Sequence, residues 1–244
     1  MIDNETLKGQ VALITGIGQP FANAVARRFA SMGAVLALVH HPSDAEAAAA
    51  FDAPEGSLRL ECDGTDPKAV KATVRTVVAE LGGVGILVNG SLRRTASSLL
   101  EIEPEEWKAS VDAQLSSTLY FDREVIRPMM KARQGRIINV LFSLAGPMVA
   151  VVSHGIAALT KALASELAQH GIYVNSIAVG ELEELGKTLD QDSSRALSIL
   201  SRGASPLGRN GRADEAAEVA AFLVSPAANL TNGCTLSASG GVYP

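Results

Sequence analysis

Short apolar runs alternate along the chain with stretches of helical periodicity. Val11–Ile14 is a β-branched run ending in Thr15-Gly16, and apolar residues at helical spacing follow from Ala22 to Met32. Gly33-Ala34 closes that helix, and Val35–Val39 is a second all-apolar strand, as expected of a parallel strand buried on both faces. Ala45–Ala50 is an alanine-rich helical segment, Lys68–Leu81 is amphipathic, and Ile86–Val88 is a third core strand behind Gly82-Gly83. Pro104–Arg133 is a long helical stretch with Glu105-Glu106 in its first turn, and the strand Arg136–Leu141 follows. His154–His170 is helical up to Gly171, Ile172–Ala178 resumes strand character, Ala213–Leu223 is the last clear helix, and Thr235-Leu236 is a final short strand. Strands separated by single helices over residues 1–244 predict one α/β domain, a doubly wound parallel sheet with helices on both faces. Any ligand then belongs at the carboxyl ends of the strands. Residues 180–205, rich in Glu, Ser and Gly, are predicted to form a loop or lid.

Composition narrows the functional classes. Hydrophobic residues make up 47% of the chain, charged residues 19%, and the net charge is −5. No basic field exists to hold a polyphosphate backbone, so nucleic acid is not an expected partner. Cys62 and Cys234 lie far apart and outside any Cys/His cluster, which predicts neither a disulfide framework nor a metal site. No stretch of eighteen uninterrupted apolar residues occurs, and Met1–Gln10 is polar with charges of both signs. The expectation is a cytoplasmic protein with no membrane association.

Several motifs then occur in a familiar order. Thr15-Gly16 follows the first strand, Cys62-Asp63 precedes the third helix, and Ile86-Leu87-Val88-Asn89 ends the strand after it. Gly135-Arg136-Ile137-Ile138-Asn139-Val140, the run Leu159–Leu167, His170–Asn175, Pro206-Leu207-Gly208-Arg209 and Gly240-Gly241 complete the set. Over essentially its whole length the chain resembles the short-chain dehydrogenase/reductase family. The resemblance implies a Rossmann-like fold binding a dinucleotide, with Gly16, Gly18, Asp63 and Asn89 as the candidate cofactor-binding residues.

The positions that would carry chemistry depart from the family pattern. The family's Tyr-x-x-x-Lys pair falls, by counting from Leu159-Thr160, on Val149 and Ser153. The chain has three tyrosines, Tyr120, Tyr173 and Tyr243, and none has a lysine four residues on. Ser143 resembles the catalytic serine, although ungapped counting from Arg136 puts Phe142 there, and the helical asparagine of the family's proton relay is replaced by Gln114. His154 and Lys161, seven apart on one helix face, are weak surrogates for an acid/base pair. Arg93 and Arg94 could meet an anionic acyl-CoA-type substrate, or simply be solvated.

The glycine turn reads Thr15-Gly16-Ile17-Gly18-Gln19-Pro20-Phe21-Ala22. Pro20 donates no N–H toward a pyrophosphate, and Ala22 adds a methyl where helix and strand must be close. His40-His41-Pro42 stands where an acidic or basic residue would meet the ribose, and Asn89-Gly90-Ser91-Leu92 keeps part of the fourth-strand signature. Taken as separate defects, these changes predict no tight dinucleotide binding by this chain.

The resulting expectation is a non-catalytic subunit, similar to the inactive subunits of heterotetrameric family members such as those of anaerobic toluene degradation. An active paralogue would then perform NAD-dependent β-hydroxyacyl-CoA-type dehydrogenation. Ala216, Ala217, Ala220 and Ala221 permit close helix packing across such an interface, or within the monomer. The alternatives are an NAD(P)-dependent oxidoreductase of noncanonical mechanism and a ligand-binding scaffold or sensor.

Overall fold

The computed structural model describes residues 5–91, 101–142, 147–184 and 205–242. Among them, the strands are β1 (Val11–Thr15), β2 (Val35–His40), β3 (Leu58–Glu61), β4 (Ile86–Asn89), β5 (Gly135–Phe142), β6 (Ile172–Val179) and β7 (Thr235–Ala238). They form one sheet in the order β3-β2-β1-β4-β5-β6-β7, and every pairing is parallel. The helices are α1 (Pro20–Ser31), α2 (Ala45–Ala49), α3 (Pro67–Leu81), α4 (Pro104–Val111), α5 (Ser117–Ala132), α6 (Pro147–Leu167) and α7 (Ala213–Val224). The doubly wound α/β sheet expected from the apolar runs is the fold.

Strand alternation explains why the runs are apolar throughout. Ile14, Val88, Val140 and Ile177 point to one face and join the buried residues of α1 and α7, whereas Leu13, Leu87, Ile137 and Val174 point to the other and join α3 and α5. Each such side chain contributes about 1.5–3 kcal/mol by leaving water. The alanines of α7 serve this monomer core: Ala216, Ala217, Ala220 and Ala221 are buried in the layer that α7 shares with α1. Close helix packing is indeed their role, but it occurs within the chain.

Three elements differ from the sequence expectation. β3 was not anticipated, because Leu58-Arg59-Leu60-Glu61 is four residues of alternating polarity at a sheet edge, where only pairing with β2 makes it a strand. The single long helix of Pro104–Arg133 is instead α4, a π-helical stretch at Asp112–Ser116, and α5, which Arg133 ends in the left-handed conformation. α6 begins at Pro147, seven residues before His154, because Met148, Val149, Val152 and Ile156 extend its buried stripe. By length and composition Met148–His170 would suffice to cross a membrane, at a mean hydropathy of 1.4. Its apolar character has a local cause, since Val149, Val152, Ile156, Ala164 and Leu167 are buried in the protein core.

Sheet order positions the site. The chain winds from β1 outward through β2 to β3 and then crosses to β4 on the other side of β1. That reversal leaves a crevice outside the carboxyl ends of β1 and β4.

Candidate functional site

The crevice begins at the turn after β1. Gly16 has φ +83°, and a Cβ there would lie 2.7 Å from the Gly90 carbonyl carbon and oxygen and 2.8 Å from the Ser91 Cα. Only glycine lets the end of β1 approach the end of β4 so closely. The Gly90 N–H donates to Thr15 Oγ1 at 3.2 Å and ties the two strand ends together. Gly18, at φ +101°, donates its N–H to Asn23 Oδ1 at 3.0 Å and lies against α2. Pro20 occupies the first turn of α1 with Gln19 as N-cap. A proline costs a helix no internal hydrogen bond at that place, and its fixed φ suits it. Pro20 is therefore a helix-start residue, and the positive end of the α1 dipole still faces the crevice end of β1.

A Cβ on Gly90 would sit 2.9 Å from the Thr15 carbonyl oxygen, so the β1 backbone requires glycine at that position, and 3.4 Å, an ordinary contact distance, from the Ala22 methyl. Ala22 is fully buried, and its methyl is accommodated between α1 and the strand ends.

Farther along, the crevice is lined by Val39, His40, His41, Cys62, Gly64 and Thr65. His40 Nε2 lies 3.6 Å from Glu61 Oε2, and His41 Nε2 lies 3.6 Å from Asp63 Oδ1. Asp63 Oδ1 also accepts from the Thr65 N–H at 2.9 Å and hydroxyl at 2.7 Å, so it holds the turn that precedes α3. Burial pushes the Cys62 thiol up from its ordinary pKa. Among the described residues, no lysine or arginine lines the crevice.

The positions counted as the family's tyrosine and lysine carry no proton chemistry. Val149 is fully buried in the core. Ser153 is buried, and its Oγ accepts from the Phe142 N–H at 3.2 Å and donates to the Phe142 carbonyl at 3.3 Å, stitching α6 to the end of β5. Ser153→Ala should cost about 1–3 kcal/mol by leaving those backbone groups without their side-chain partner, a loss that denaturant unfolding would measure. His154 and Lys161 are both exposed, and the His154 Nδ1 is 2.7 Å from the Ala150 carbonyl one turn back. Neither lines the crevice. Ser143, Arg93, Arg94, Tyr243 and residues 185–204 of the expected lid lie outside the described residues.

Two features were missed in the sequence: the first is the π-helical stretch that holds Gln114, whose side chain is 5% exposed and whose Nε2 has no hydrogen-bond partner among the described residues. Such bulges frequently mark functional sites, and no residue pattern announced this one. The second is a buried polar cluster below the crevice. Asn89 Nδ2 donates to Asp122 Oδ1 at 2.8 Å and to Asn139 Oδ1 at 2.9 Å, while Asn139 Nδ2 donates to Asp122 Oδ2 at 3.3 Å and Thr160 Oγ1 at 3.1 Å. Asn89 is thus committed to joining β4, β5 and α5. Asp122 is fully buried, and desolvation, opposed by the two asparagine amides, raises its pKa from 3.8 to about 7. The signal available in the sequence was helical phase, since Asp122 shares a face with the core residues Val125 and Met129.

A switch-point crevice beside a glycine turn and a helix N-terminus defines a protein of the dinucleotide-binding α/β class. Comparison with known proteins refines this. Residues 16–243 match the family model described as enoyl-(acyl carrier protein) reductase. The chain is 34% identical to the 3-oxoacyl-[acyl-carrier-protein] reductase FabG of Vibrio cholerae, covering 97% of this chain and 98% of that one. It is equally similar, at 34% with the same coverage, to FabG of Escherichia coli. A crystal structure of a short-chain dehydrogenase/reductase from Burkholderia xenovorans superposes with a TM-score of 0.85 at 25% identity, covering 97% of each chain. The chain belongs to the short-chain dehydrogenase/reductase family. These relatives, named as reductases and matched nearly end to end, overturn the expectation of a non-catalytic subunit serving an active paralogue.

Proposed function

We propose that the chain is an NAD(P)-dependent oxidoreductase that interconverts a carbonyl and an alcohol, with 3-oxoacyl thioesters as the substrate class. The observation that carries this is the glycine turn at the switch point, where Gly16, at φ +83°, abuts the Gly90 backbone beside the first turn of α1. The names of the FabG relatives supply the substrate class.

In this chain Gly16, Gly18 and the first turn of α1 would face the pyrophosphate, His40 and His41 the adenosine ribose, and Cys62 to Thr65 the adenine. The reduced nicotinamide supplies a hydride when bound. The accompanying proton cannot come from Val149. Ser143, which follows the last residue of β5, is the residue proposed to deliver it, directly or through water.

The test is oxidation of NADH or NADPH by the purified chain with acetoacetyl-CoA as substrate. Turnover is expected about 10²- to 10⁴-fold below that of a relative with the intact tyrosine, the usual worth of a positioned acid. Ser143→Ala should lower it further, and Lys161→Ala should leave it unchanged. Failure of both nucleotides to bind would sink the proposal.

A further inference from the structure

We propose that Asn210 is a site of spontaneous deamidation, at which Arg209 assists attack of the Gly211 nitrogen on the Asn210 side-chain amide. An Asn-Gly step is prone to this reaction because glycine puts no side chain beside the attacking nitrogen. The chain holds three such steps, Asn89-Gly90, Asn210-Gly211 and Asn232-Gly233. Their hydrogen bonds set them apart.

Asn89 is buried at the end of β4, where its Nδ2 donates to Asp122 at 2.8 Å and Asn139 at 2.9 Å, and the Gly90 N–H donates to Thr15 Oγ1. Asn232 is the most exposed of the three, yet both ends of its amide are held. Its Oδ1 accepts from the Val174 N–H at 2.8 Å and its Nδ2 donates to the Ala164 carbonyl at 3.1 Å, while the Gly233 N–H donates to the Val174 carbonyl at 2.8 Å. Asn210 differs. Its Oδ1 is buried and has no hydrogen-bond partner among the described residues, so no bond holds that oxygen against rotation of the amide toward Gly211. An unsatisfied buried oxygen also raises the energy of the resting side chain. On the glycine side, the Gly211 N–H must leave the Glu181 carbonyl, 2.9 Å away.

Arg209 supplies the electrostatic assistance. Its Nη1 donates to the Asn210 carbonyl oxygen at 3.0 Å, and bonds of 2.8 and 2.6 Å to the Glu215 carboxylate fix the guanidinium in place. That carbonyl belongs to the peptide whose nitrogen is Gly211. When hydroxide from water removes the Gly211 proton, the negative charge is shared with the same oxygen, where a charged donor already sits. The Gly211 nitrogen then bonds to Asn210 Cγ, the Cγ–Nδ2 bond breaks, ammonia leaves and a succinimide ring closes. Water adds to either ring carbonyl and gives aspartate or isoaspartate.

Isoaspartate routes the main chain through the former side chain and lengthens it by a methylene just before Gly211. Gly211 forms a parallel bridge with Leu182; besides its bond to Glu181, its carbonyl accepts from the Glu183 N–H at 2.9 Å, and Glu184 accepts from the Ala213 N–H at 3.2 Å. Conversion therefore unfastens the segment after β6 from the start of α7.

The experiment is incubation of the full chain in mildly alkaline buffer, native and in urea, with peptide mass spectrometry to follow conversion of each asparagine. In the native chain Asn210 should convert at least about tenfold faster than Asn232, where two further hydrogen bonds must open, and Asn89 should convert slowest. In urea the rates at Asn210 and Asn232 should draw together. Arg209→Gln should slow conversion at Asn210 by about two- to fivefold in the native chain, the size of an exposed charge contact, and leave it unchanged in urea. Gly211→Ala should block it without disturbing the fold, since a Cβ there would meet Leu182 Cδ2 at 3.6 Å and the Glu181 oxygen at 3.7 Å, ordinary contacts. The isoaspartyl form should melt below the native chain. Conversion at Asn232 as fast as at Asn210, no conversion at any of the three, or a native rate unaffected by Arg209→Gln overturns the inference. No nucleotide enters the measurement, so the result is independent of the proposed function.

Discussion

Replacing Gly16 with alanine should lower the melting temperature by about 6–12 °C and abolish saturable binding of NADH. The left-handed backbone at φ +83° costs an L-residue about 1–2 kcal/mol. The added Cβ would also lie 2.7 Å from the Gly90 backbone and 2.8 Å from the Ser91 Cα. Backbone atoms cannot rotate aside, so the ends of β1 and β4 must part, at a further cost of about 1–3 kcal/mol. A total near 3 kcal/mol corresponds to that temperature shift in a domain of this size, at roughly 2–4 °C per kcal/mol. Gly56 provides the control: its φ is +77°, but nothing lies within 4 Å of a Cβ placed there, so Gly56→Ala should show the strain alone and leave binding intact. Equal melting temperatures for the two variants would show that the contact between β1 and β4 contributes nothing.

Asp122→Asn should gain several degrees of stability relative to the native protein as the pH rises from 4 to 8, on top of a pH-independent cost from setting its NH2 against one of the two asparagine amides. Folding raises the Asp122 pKa from 3.8 to about 7, so the native state favours the protonated carboxyl. Stability from this group is fully present below about pH 4 and is lost as pH rises through about 7, because the unfolded chain ionises freely while the folded one resists. Each pKa unit is worth about 1.4 kcal/mol, so roughly three units give an upper bound on the order of 4 kcal/mol. Asparagine removes the charge while keeping the size of the group between Asn89 and Asn139. Thermal melts of both proteins across the pH range are the measurement, and a difference that does not change with pH would refute the assignment. Removing the group altogether with Asp122→Ala should instead destabilise at every pH, since the Asn89 and Asn139 amides lose their shared acceptor.

Much of the fold was legible in the chain. Strands buried on both faces are apolar along most of their length, as β1, β2, β4, β5 and β6 are, with polar residues such as Thr15, His40 and Asn89 at strand ends and Asn139, Asn175 and Ser176 held by hydrogen bonds. β3 escaped notice because an edge strand needs no such run. The long apolar helix after β5 was recognised but placed seven residues late, since its first turns fell among residues weighed for their chemistry.

The site was legible in its parts but not in its arrangement. Gly16 and Gly18 line up as expected along the turn, whereas Asp63 holds its own loop and Asn89 belongs to the polar cluster beneath the sheet ends. His154 and Lys161 share a helix face, as their spacing required, but that face is exposed. Spacing places residues on a common face without saying which way the face turns. The expectation of an inactive subunit counted departures from the family pattern residue by residue, and the nearly full-length match to relatives named as reductases overturns it.

By itself the sequence determined the doubly wound sheet, through the period of its apolar residues, and the loss of the tyrosine–lysine pair, through a chain with only three tyrosines. Tertiary structure alone decided that Gly16 abuts the Gly90 backbone, that Asp122 lies buried between two asparagines, and that Ser153 ties α6 to β5. Local periodicity reports the neighbours a residue has along its own helix or strand. These three arrangements join residues on separate elements, brought together only when the sheet closes and its helices pack.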